Sequence, residues 1–141
     1  MQIRKDDTMK TTVAFVCVHN SCRSQMAEGW AKKLGSDRLE VYSAGTENYP
    51  AVKPLAVEVM EEAGVNMSGH KPKLLSDIPA EVDILITMGC NVDCPNVPSR
   101  HREDWGLDDP SGGPIEDFRE TSKLIEEKVK ELLVRVKNKT I

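Results

Sequence analysis

A short apolar run that leads through a tight turn into a helical pattern constrains this chain more than any other feature. Residues 12–18 are apolar and rich in β-branched side chains. From Ser24 onward, apolar residues recur at helical spacing until Gly35. A short continuous apolar run bounded by a turn is typical of a strand that is buried on both faces. The segment therefore predicts a strand, a turn and a helix, which is the first unit of an α/β fold.

The same alternation continues along the chain. Further strands are predicted at Leu39 to Gly45, at Val82 to Met88 and, as a short one, at His101 to Trp105, with helices from Pro54 to Gly64 and from Ile115 to about Lys137. The apolar side of the long helix is formed by Phe118, Leu124, Ile125, Val129, Leu132, Leu133 and Val136. This order predicts an α/β fold in three layers, an open parallel sheet of about four strands with helices on both faces and right-handed crossovers.

Length and charge limit what kind of protein this is. With 141 residues we expect a single domain over residues 10–141, preceded by a flexible extension over residues 1–9, and Met9 is an equally good start. The net charge of −4 argues against a nucleic-acid binder, because binding phosphate backbones needs a basic face. No apolar stretch is long enough to span a membrane, and the charged start is no signal peptide, so we expect a cytoplasmic protein with reduced cysteines.

The turn VCVHNSCRS, residues 16–24, carries the chemistry. It follows a predicted strand and opens a helix, where backbone N–H groups and the helix dipole bind anions. The guanidinium of Arg23 matches two oxygens of a tetrahedral anion. The candidate oxyanion-binding residues are Val18, His19, Asn20, Ser21, Cys22, Arg23 and Ser24.

Cys17 lies at the end of the predicted strand, below this anion site. The positive surroundings favour its thiolate, which is the nucleophilic form of cysteine, and the Ser24 hydroxyl is placed to donate to it. Asn20 is a residue type that tolerates the left-handed backbone of a tight cradle. The plainer interpretation, that Cys17 is a buried strand residue and Arg23 a solvated helix start, fits this sequence context less well.

A general acid is also expected, because oxygen displaced from an oxyanion leaves more readily with a proton. Asp109 precedes Pro110, which disfavours helix at that residue. Asp108 is adjacent, and the residues alone do not decide between the two. Both aspartates also fit ordinary turn positions.

Four cysteines and three histidines raise the question of a metal site. The spacings Cys17-x4-Cys22 and Cys90-x3-Cys94 differ from the closer pairs that zinc sites prefer. A zinc-bound thiolate would also be lost as a nucleophile, so we expect no firm metal site. His19 is interpreted as a partly exposed bystander, and the other two histidines, His70 and His101, have no evident partner.

Several motifs together resemble one known family. VCVHNSCRSQMAEGWA, the YSAG at Tyr42 to Gly45, the TMGC that ends at Cys90, and the DWGLDDP that ends at Pro110 occur in the order found in low-molecular-weight protein tyrosine phosphatases. Within that fold the chain most resembles the thioredoxin-coupled arsenate reductases. The resemblance implies that Cys17 is the nucleophile, Arg23 the oxyanion clamp and Asp109, rather than Asp108, the general acid.

The second pair of cysteines acquires a role through the same resemblance. Cys90 and Cys94 follow the third strand, at the edge of the sheet that carries Cys17. The resemblance implies that Cys90 attacks Cys17 and releases arsenite, that Cys94 resolves that disulfide, and that thioredoxin reduces the Cys90–Cys94 bond. The gap of three residues is shorter than is usual in these reductases, which leaves the role of Cys94 and the choice among thioredoxin, glutaredoxin and a small thiol open. Cys22 is an alternative resolving thiol, although we expect it only to line the loop.

Some members of the family bind potassium behind this loop. The positions that match are Asn20, Glu28 and Ser43, whereas other positions of that site correspond to Lys71 and Lys73. A lysine ammonium there would either replace the ion or repel it. Both lysines also fit the description of solvated loop charges.

The resemblance therefore predicts a monomeric arsenate reductase with no bound cofactor, acting on arsenate or phosphate oxyanions with an external thiol reductant. The main alternative is a tyrosine phosphatase or other phosphomonoesterase that uses the same Cys17, Arg23 and Asp109. It is disfavoured because aromatic residues are only 4% of the chain and because such an enzyme has no use for the additional thiols. A third hypothesis is a non-catalytic oxyanion or redox sensor that oxidises once and stops.

Overall fold

A single parallel sheet organises the molecule. A computed structural model describes residues 10–89 and 97–141. The strands are β1 (Thr11–Cys17), β2 (Leu39–Gly45), β3 (Val82–Thr87) and β4 (Ser99–Asp104). Their order in the sheet is β2–β1–β3–β4, and each neighbouring pair is parallel. The prediction of an α/β fold with about four parallel strands is confirmed.

Three α-helices follow the predicted pattern closely. They are α1 (Arg23–Gly35), α2 (Pro54–Glu62) and α3 (Ile115–Lys137), and a 3-10 helix covers Leu75–Asp77. Pro54 occupies the start of α2, where its missing N–H costs no hydrogen bond. The first turn of α3 is acidic and its last turn is basic, which suits the helix dipole at both ends.

The two faces of the sheet are covered differently. The three α-helices of the described residues share one hydrophobic cluster with the face of the sheet that presents Val13, Phe15 and Ile84. On the opposite face, Ala14, Val16 and Leu85 pack with residues of the 3-10 helix region and its neighbouring loops. Helical structure therefore lies on both faces, with the longer helices on one of them. Leu124 of α3, expected on the buried side, is instead 42% exposed.

The strand register brings four chain segments to one edge. Cys17 pairs with Gly45, Val16 pairs with Thr87, and Thr87 pairs with Asp104. The carboxyl ends of all four strands therefore lie side by side. In parallel sheets this edge is where ligands bind, and it is also where the turn of residues 18–22 leaves β1.

Some predictions fall on residues outside the described ranges. These are the flexible extension over residues 1–9 and the two thiols Cys90 and Cys94. Within the described ranges, no helix combines the length and the apolar character that a bilayer crossing requires.

Candidate active site

Cys17 lies at the centre of a set of short contacts. Its Sγ is 2.8 Å from Ser24 Oγ, and the backbone N–H of Asn20 donates to the same sulfur at 3.3 Å. The Asn20 Nδ2 group donates to Ser24 Oγ at 2.8 Å, which leaves the Ser24 hydrogen free to point at the sulfur. Two hydrogen-bond donors thus converge on Cys17 Sγ. The predicted interaction of Ser24 with Cys17 is present in the structure.

Asn20 gives the loop its shape. It is fully buried and has a φ of 54°, the left-handed conformation that the sequence analysis expected at this position. Its Oδ1 accepts hydrogen bonds from Gln25 Nε2 and from the backbone N–H of Lys73, both at 2.9 Å. Because both ends of the Asn20 amide are engaged, the side chain fixes the loop against α1 and against residues 71–73.

Gly45 allows the loop to lie directly against β2. A Cβ atom at this position would lie 2.6 Å from the Val18 carbonyl oxygen and 2.9 Å from the Asn20 nitrogen. The same Val18 oxygen accepts hydrogen bonds from the N–H groups of Thr46 and Glu47. A side chain at position 45 would therefore push the loop away from the strand.

The loop encloses a small cavity of about 30 Å³. Its walls are Cys17, Val18, His19, Ser21, Cys22, Arg23 and Asp109. No acidic side chain lies in the first turn of α1, so nothing from that turn competes with an anion for its free N–H groups. A cavity of this size holds a ligand of only a few atoms, such as a tetrahedral oxyanion.

Arg23 connects this cavity to two other loops. Its Nη1 donates to the carbonyl oxygens of Met88 at 2.5 Å and of Leu107 at 2.7 Å. Both hydrogens on Nη1 are therefore engaged, whereas Nε and Nη2 have no hydrogen-bond partner among the described residues and can bind an oxyanion. The guanidinium is held rigidly in place, since its side chain is only 14% exposed.

Asp109 faces the same cavity, and its neighbour does not line it. Asp109 Oδ2 lies 3.9 Å from Arg23 Nη2, whereas Asp108 lines an adjacent groove between the 107–110 segment and α3. Burial raises the pKa of Asp109. Hydrogen bonds from Ser111 and the charges of Arg23 and Lys53 outweigh that effect, and the pKa lies below its ordinary value. The geometry thus supports Asp109 over Asp108.

Cys22 also lines the cavity, but it differs chemically from Cys17. Burial, followed by the nearby charges of Asp109 and Cys17, raises the pKa of Cys22 to about 12. Cys22 therefore remains a thiol at neutral pH and is a poor nucleophile. Cys22 lines the cavity as expected, and that it carries no required step stays a prediction.

Behind the loop, a lysine occupies the place that the family resemblance assigns to potassium. Lys73 Nζ lies 3.2 Å from Glu28 Oε1, 3.3 Å from Ser43 Oγ and 3.4 Å from the Lys71 carbonyl oxygen. Burial raises the pKa of Glu28, but hydrogen bonds from Lys32 and Ser43 and the charge of Lys73 lower it overall. Glu28 is thus a buried carboxylate whose charge is balanced by ammonium groups. Among residues 10–89 and 97–141 there is no group of three or more His, Cys, Asp or Glu side chains that could hold a metal.

Sequence reasoning missed the partners of His70 and the rim of the cavity. His70 Nδ1 donates to Gln25 Oε1 at 3.0 Å, which extends the hydrogen-bond chain behind the loop.

At the rim of the cavity, the Tyr49 ring stacks on His19 with centroids 4.7 Å apart, and Lys53 Nζ donates to the Tyr49 hydroxyl. His19 is 44% exposed, as expected of a residue at the mouth. Nothing in the local pattern around Lys53 indicates this contact, because it depends on how the 46–53 segment crosses the loop.

This chain is similar to known proteins in both sequence and fold. The family model described as low molecular weight phosphotyrosine protein phosphatase matches residues 12–141. An arsenate reductase of Staphylococcus aureus (strain Newman) is 43% identical over 114 residues, which cover 78% of this chain and 86% of that protein. A solved arsenate reductase in a phosphate-binding state superposes with a TM-score of 0.83 at 40% identity, covering 91% of this chain and 99% of the other. A thioredoxin-dependent arsenate reductase of Corynebacterium glutamicum has a TM-score of 0.76 at 32% identity over 92% of this chain and 63% of its own.

Proposed function

Because this chain belongs to the low-molecular-weight phosphotyrosine protein phosphatase family, we propose that it is an arsenate reductase with Cys17 as nucleophile, Arg23 as oxyanion clamp and Asp109 as general acid. One observation carries this assignment: the three side chains line a single small cavity. Ser24 Oγ stands behind Cys17 Sγ at 2.8 Å. The similarity to arsenate reductases supports arsenate as the oxyanion.

In the first step the Cys17 thiolate attacks arsenic. A sulfur–arsenic bond forms, one arsenic–oxygen bond breaks, and the departing oxygen takes the Asp109 proton and leaves as water. The remaining oxygens are held by the loop N–H groups and by Nε and Nη2 of Arg23. Arsenic is still in its pentavalent state at this point.

The lowered pKa of Asp109 is compatible with this role. Arg23 and Lys53 contribute to that lowering, and a bound arsenate anion offsets their charges. The negative charge of the bound arsenate also disfavours the carboxylate form of Asp109. Arsenate binding therefore raises the pKa of Asp109 and favours its protonated form. Substrate binding therefore prepares the acid for the step in which it is used.

The second step uses the thiol of Cys90. Cys90 attacks Cys17 Sγ, a disulfide forms, the sulfur–arsenic bond breaks, and its electron pair reduces arsenic to arsenite. Cys94 then attacks Cys90, which frees the Cys17 thiolate and leaves a Cys90–Cys94 disulfide. An external dithiol, thioredoxin by analogy with the Corynebacterium glutamicum relative, supplies the two electrons that reopen it.

The cellular context follows from this chemistry. A thiol cascade of this kind requires a reducing compartment, which supports the cytoplasm. We also propose a monomer in which residues 10–141 form one catalytic domain.

Lys73 supplies the positive charge behind the loop, so we expect equal activity in sodium and potassium buffers.

Phosphomonoester hydrolysis is the second candidate activity, because the same cavity and the same three side chains suit a phosphoryl group. Phosphate and arsenate share their shape and charge. This activity leaves Cys90 and Cys94 without a role, and on that ground we place it second.

The two activities can be measured on one sample of the purified protein. We expect arsenate-dependent NADPH oxidation that continues over many turnovers in the presence of thioredoxin and thioredoxin reductase. Hydrolysis of p-nitrophenyl phosphate is the parallel assay. Rapid ester hydrolysis without NADPH loss would instead identify a phosphatase, and silence in both assays would contradict the assignment of an enzyme.

Two variants separate the steps. Cys17→Ser should abolish both activities, since it removes the shared nucleophile. Cys94→Ser should stop reduction after one event and leave ester hydrolysis unchanged. Continued turnover of Cys94→Ser would remove that residue from the mechanism.

A further inference from the structure

The two charged side chains that line the cavity, Arg23 and Asp109, have opposite charges. Arg23 is the cation that lines the cavity, but its Nη2 faces the carboxylate of Asp109 at 3.9 Å. On the far side of Asp109 lies a groove of about 260 Å³ whose acidic lining comprises Asp108, Asp109, Asp117 and Glu120. The whole chain has a net charge of −4. Apart from the loop N–H groups, the side chains around the cavity therefore offer a dianion no net positive charge unless another cation is present.

Lys53 is joined to the anion-binding loop through its main chain. Its backbone N–H donates to the Ser21 carbonyl oxygen at 2.8 Å, and Ser21 lines the cavity. Lys53 immediately precedes α2, so the start of this helix and the loop are connected. The residue is thus held beside the mouth regardless of what its side chain does.

The side chain is directed along the rim by an aromatic ring. Lys53 Nζ lies 2.5 Å from the Tyr49 hydroxyl and 4.7 Å from the centre of the Tyr49 ring. That ring stacks on His19, which is a wall of the cavity. Within the described part of the chain, no carboxylate forms an ion pair with Lys53, so its charge is not neutralised by a direct partner.

From these contacts we propose that Lys53 is a second cation of the oxyanion site, which draws tetrahedral dianions to the cavity and adds to the binding by Arg23. This inference rests on the proposed function, since it concerns the same site and the same class of substrate. Lys53 acts through its charge at the rim and takes no part in bond making. The long-range effect of its charge on Asp109 is a consequence of the same placement.

The substitution Lys53→Met tests this role, because it keeps the approximate length of the side chain and removes its charge. Affinity for inorganic phosphate, measured by titration calorimetry at low salt, should fall roughly threefold to tenfold, which is the size expected for one partly solvated charge acting on a dianion. KM for arsenate should rise by a similar factor with little change in kcat. The dependence of kcat/KM on ionic strength should also become shallower.

Two further variants control for a merely structural effect. Lys53→Arg keeps the charge and should retain most of the affinity. Lys33→Met removes a lysine whose Nζ is bonded to the Gly64 carbonyl oxygen near the other end of α1, and it should bind phosphate like the unmodified protein. Phosphate affinity and salt dependence that are the same in Lys53→Met as in the unmodified protein would overturn the role of Lys53 alone. Failure of the unmodified protein to bind phosphate or arsenate at all would overturn the oxyanion site and this inference together.

Discussion

Two adjacent aspartates show how much a single position matters at the residue scale. Asp109 lines the cavity and faces Arg23, whereas Asp108 faces the neighbouring groove. We expect Asp109→Asn to lower kcat for p-nitrophenyl phosphate by about a hundredfold to ten thousandfold, because a general acid contributes that much to such a reaction. Steady-state kinetics with this substrate measures the effect without involving Cys90 or Cys94.

Asp108→Asn is the matched control, since it makes the same chemical change one residue away. It should retain kcat within about threefold of the unmodified protein, as expected of a carboxylate that touches no reacting atom. Equal losses of kcat in the two variants would mean that catalysis depends on the conformation of the loop and not on the carboxylate of Asp109.

Local sequence patterns located residues whose interactions are local, whereas the choice of Asp109 and the positions behind the loop came only from the family resemblance. Cys17, Asn20 and Ser24 lie within eight positions of one another, and the turn that joins them is determined by neighbouring residues. The contact between Lys73 and Glu28 joins residues 45 positions apart, so it depends on how the whole chain folds. The partners of long flexible side chains are determined only once the backbone has folded, so no local sequence pattern predicts such a pair.

At the scale of elements, a partly buried ionic clamp joins β4 to α3. Arg135 Nη1 and Nη2 donate to the two oxygens of Glu103 at 2.8 and 2.9 Å. His101 Nε2 and Trp105 Nε1 each lie 2.7 Å from the same carboxylate. The hydrogen bonds from Arg135, which outweigh partial burial, together with those from His101 and Trp105 lower the pKa of Glu103 to about 2.

The clamp predicts a pH-dependent stability. A carboxyl whose pKa falls on folding stabilises the folded state above its ordinary pKa of 4.5, and this contribution disappears between that pH and about 2. We therefore expect Glu103→Gln to lower the free energy of unfolding by about 2 kcal/mol at pH 7, with less than half of that difference left near pH 3. Urea unfolding of both proteins at the two pH values measures this difference in the free energy of unfolding.

Glu131 offers a control on the same arginine. Its Oε1 lies 3.7 Å from Arg135 Nη2, but its side chain is 73% exposed. Solvent screens such a pair, so Glu131→Gln should change the free energy of unfolding by less than about 0.5 kcal/mol. A loss in Glu131→Gln as large as that in Glu103→Gln would contradict the importance of the partly buried position of Glu103.

Element boundaries were predictable where a glycine or a proline marks an end of the element. β2 occupies Leu39–Gly45 and α3 occupies Ile115–Lys137, both as expected, because Gly45 and Pro114 bound them. β4 begins two residues earlier than expected, at Ser99. Every second residue of β4 is exposed, so its sequence carries a weaker apolar pattern than the buried strands do. The bounds of β4 are therefore determined by its pairing with β3 more than by its composition.

At the scale of the whole molecule, the oxyanion site connects elements that are far apart in the chain. Arg23 on α1 holds the carbonyl oxygens of Met88 and Leu107, and residues 18–20 pack against Gly45 of β2. A ligand in the cavity contacts several of these segments at once. Since unfolding disperses them, bound oxyanion should stabilise the entire fold and not only the loop.

This linkage is measurable as a change in melting temperature. At phosphate concentrations one hundred times its dissociation constant, the folded state gains about 2.7 kcal/mol, which should raise Tm by roughly 8–11 °C for a domain of this size. Scanning calorimetry in sodium phosphate, compared with sodium chloride at the same ionic strength, isolates the specific part. Arg23→Ala should abolish the increment.

Arg100→Ala should keep that increment, because Arg100 is paired with Asp83 near the start of β4, at the opposite edge of the sheet. The increment within each variant is the quantity to compare, since loss of the Arg23 bonds to Met88 and Leu107 also lowers the starting Tm. Phosphate-dependent increments of equal size in the two variants would show that the anion binds elsewhere on the molecule. An increment that disappears only with Arg23 locates the binding energy at the cavity where Cys17 and Asp109 meet.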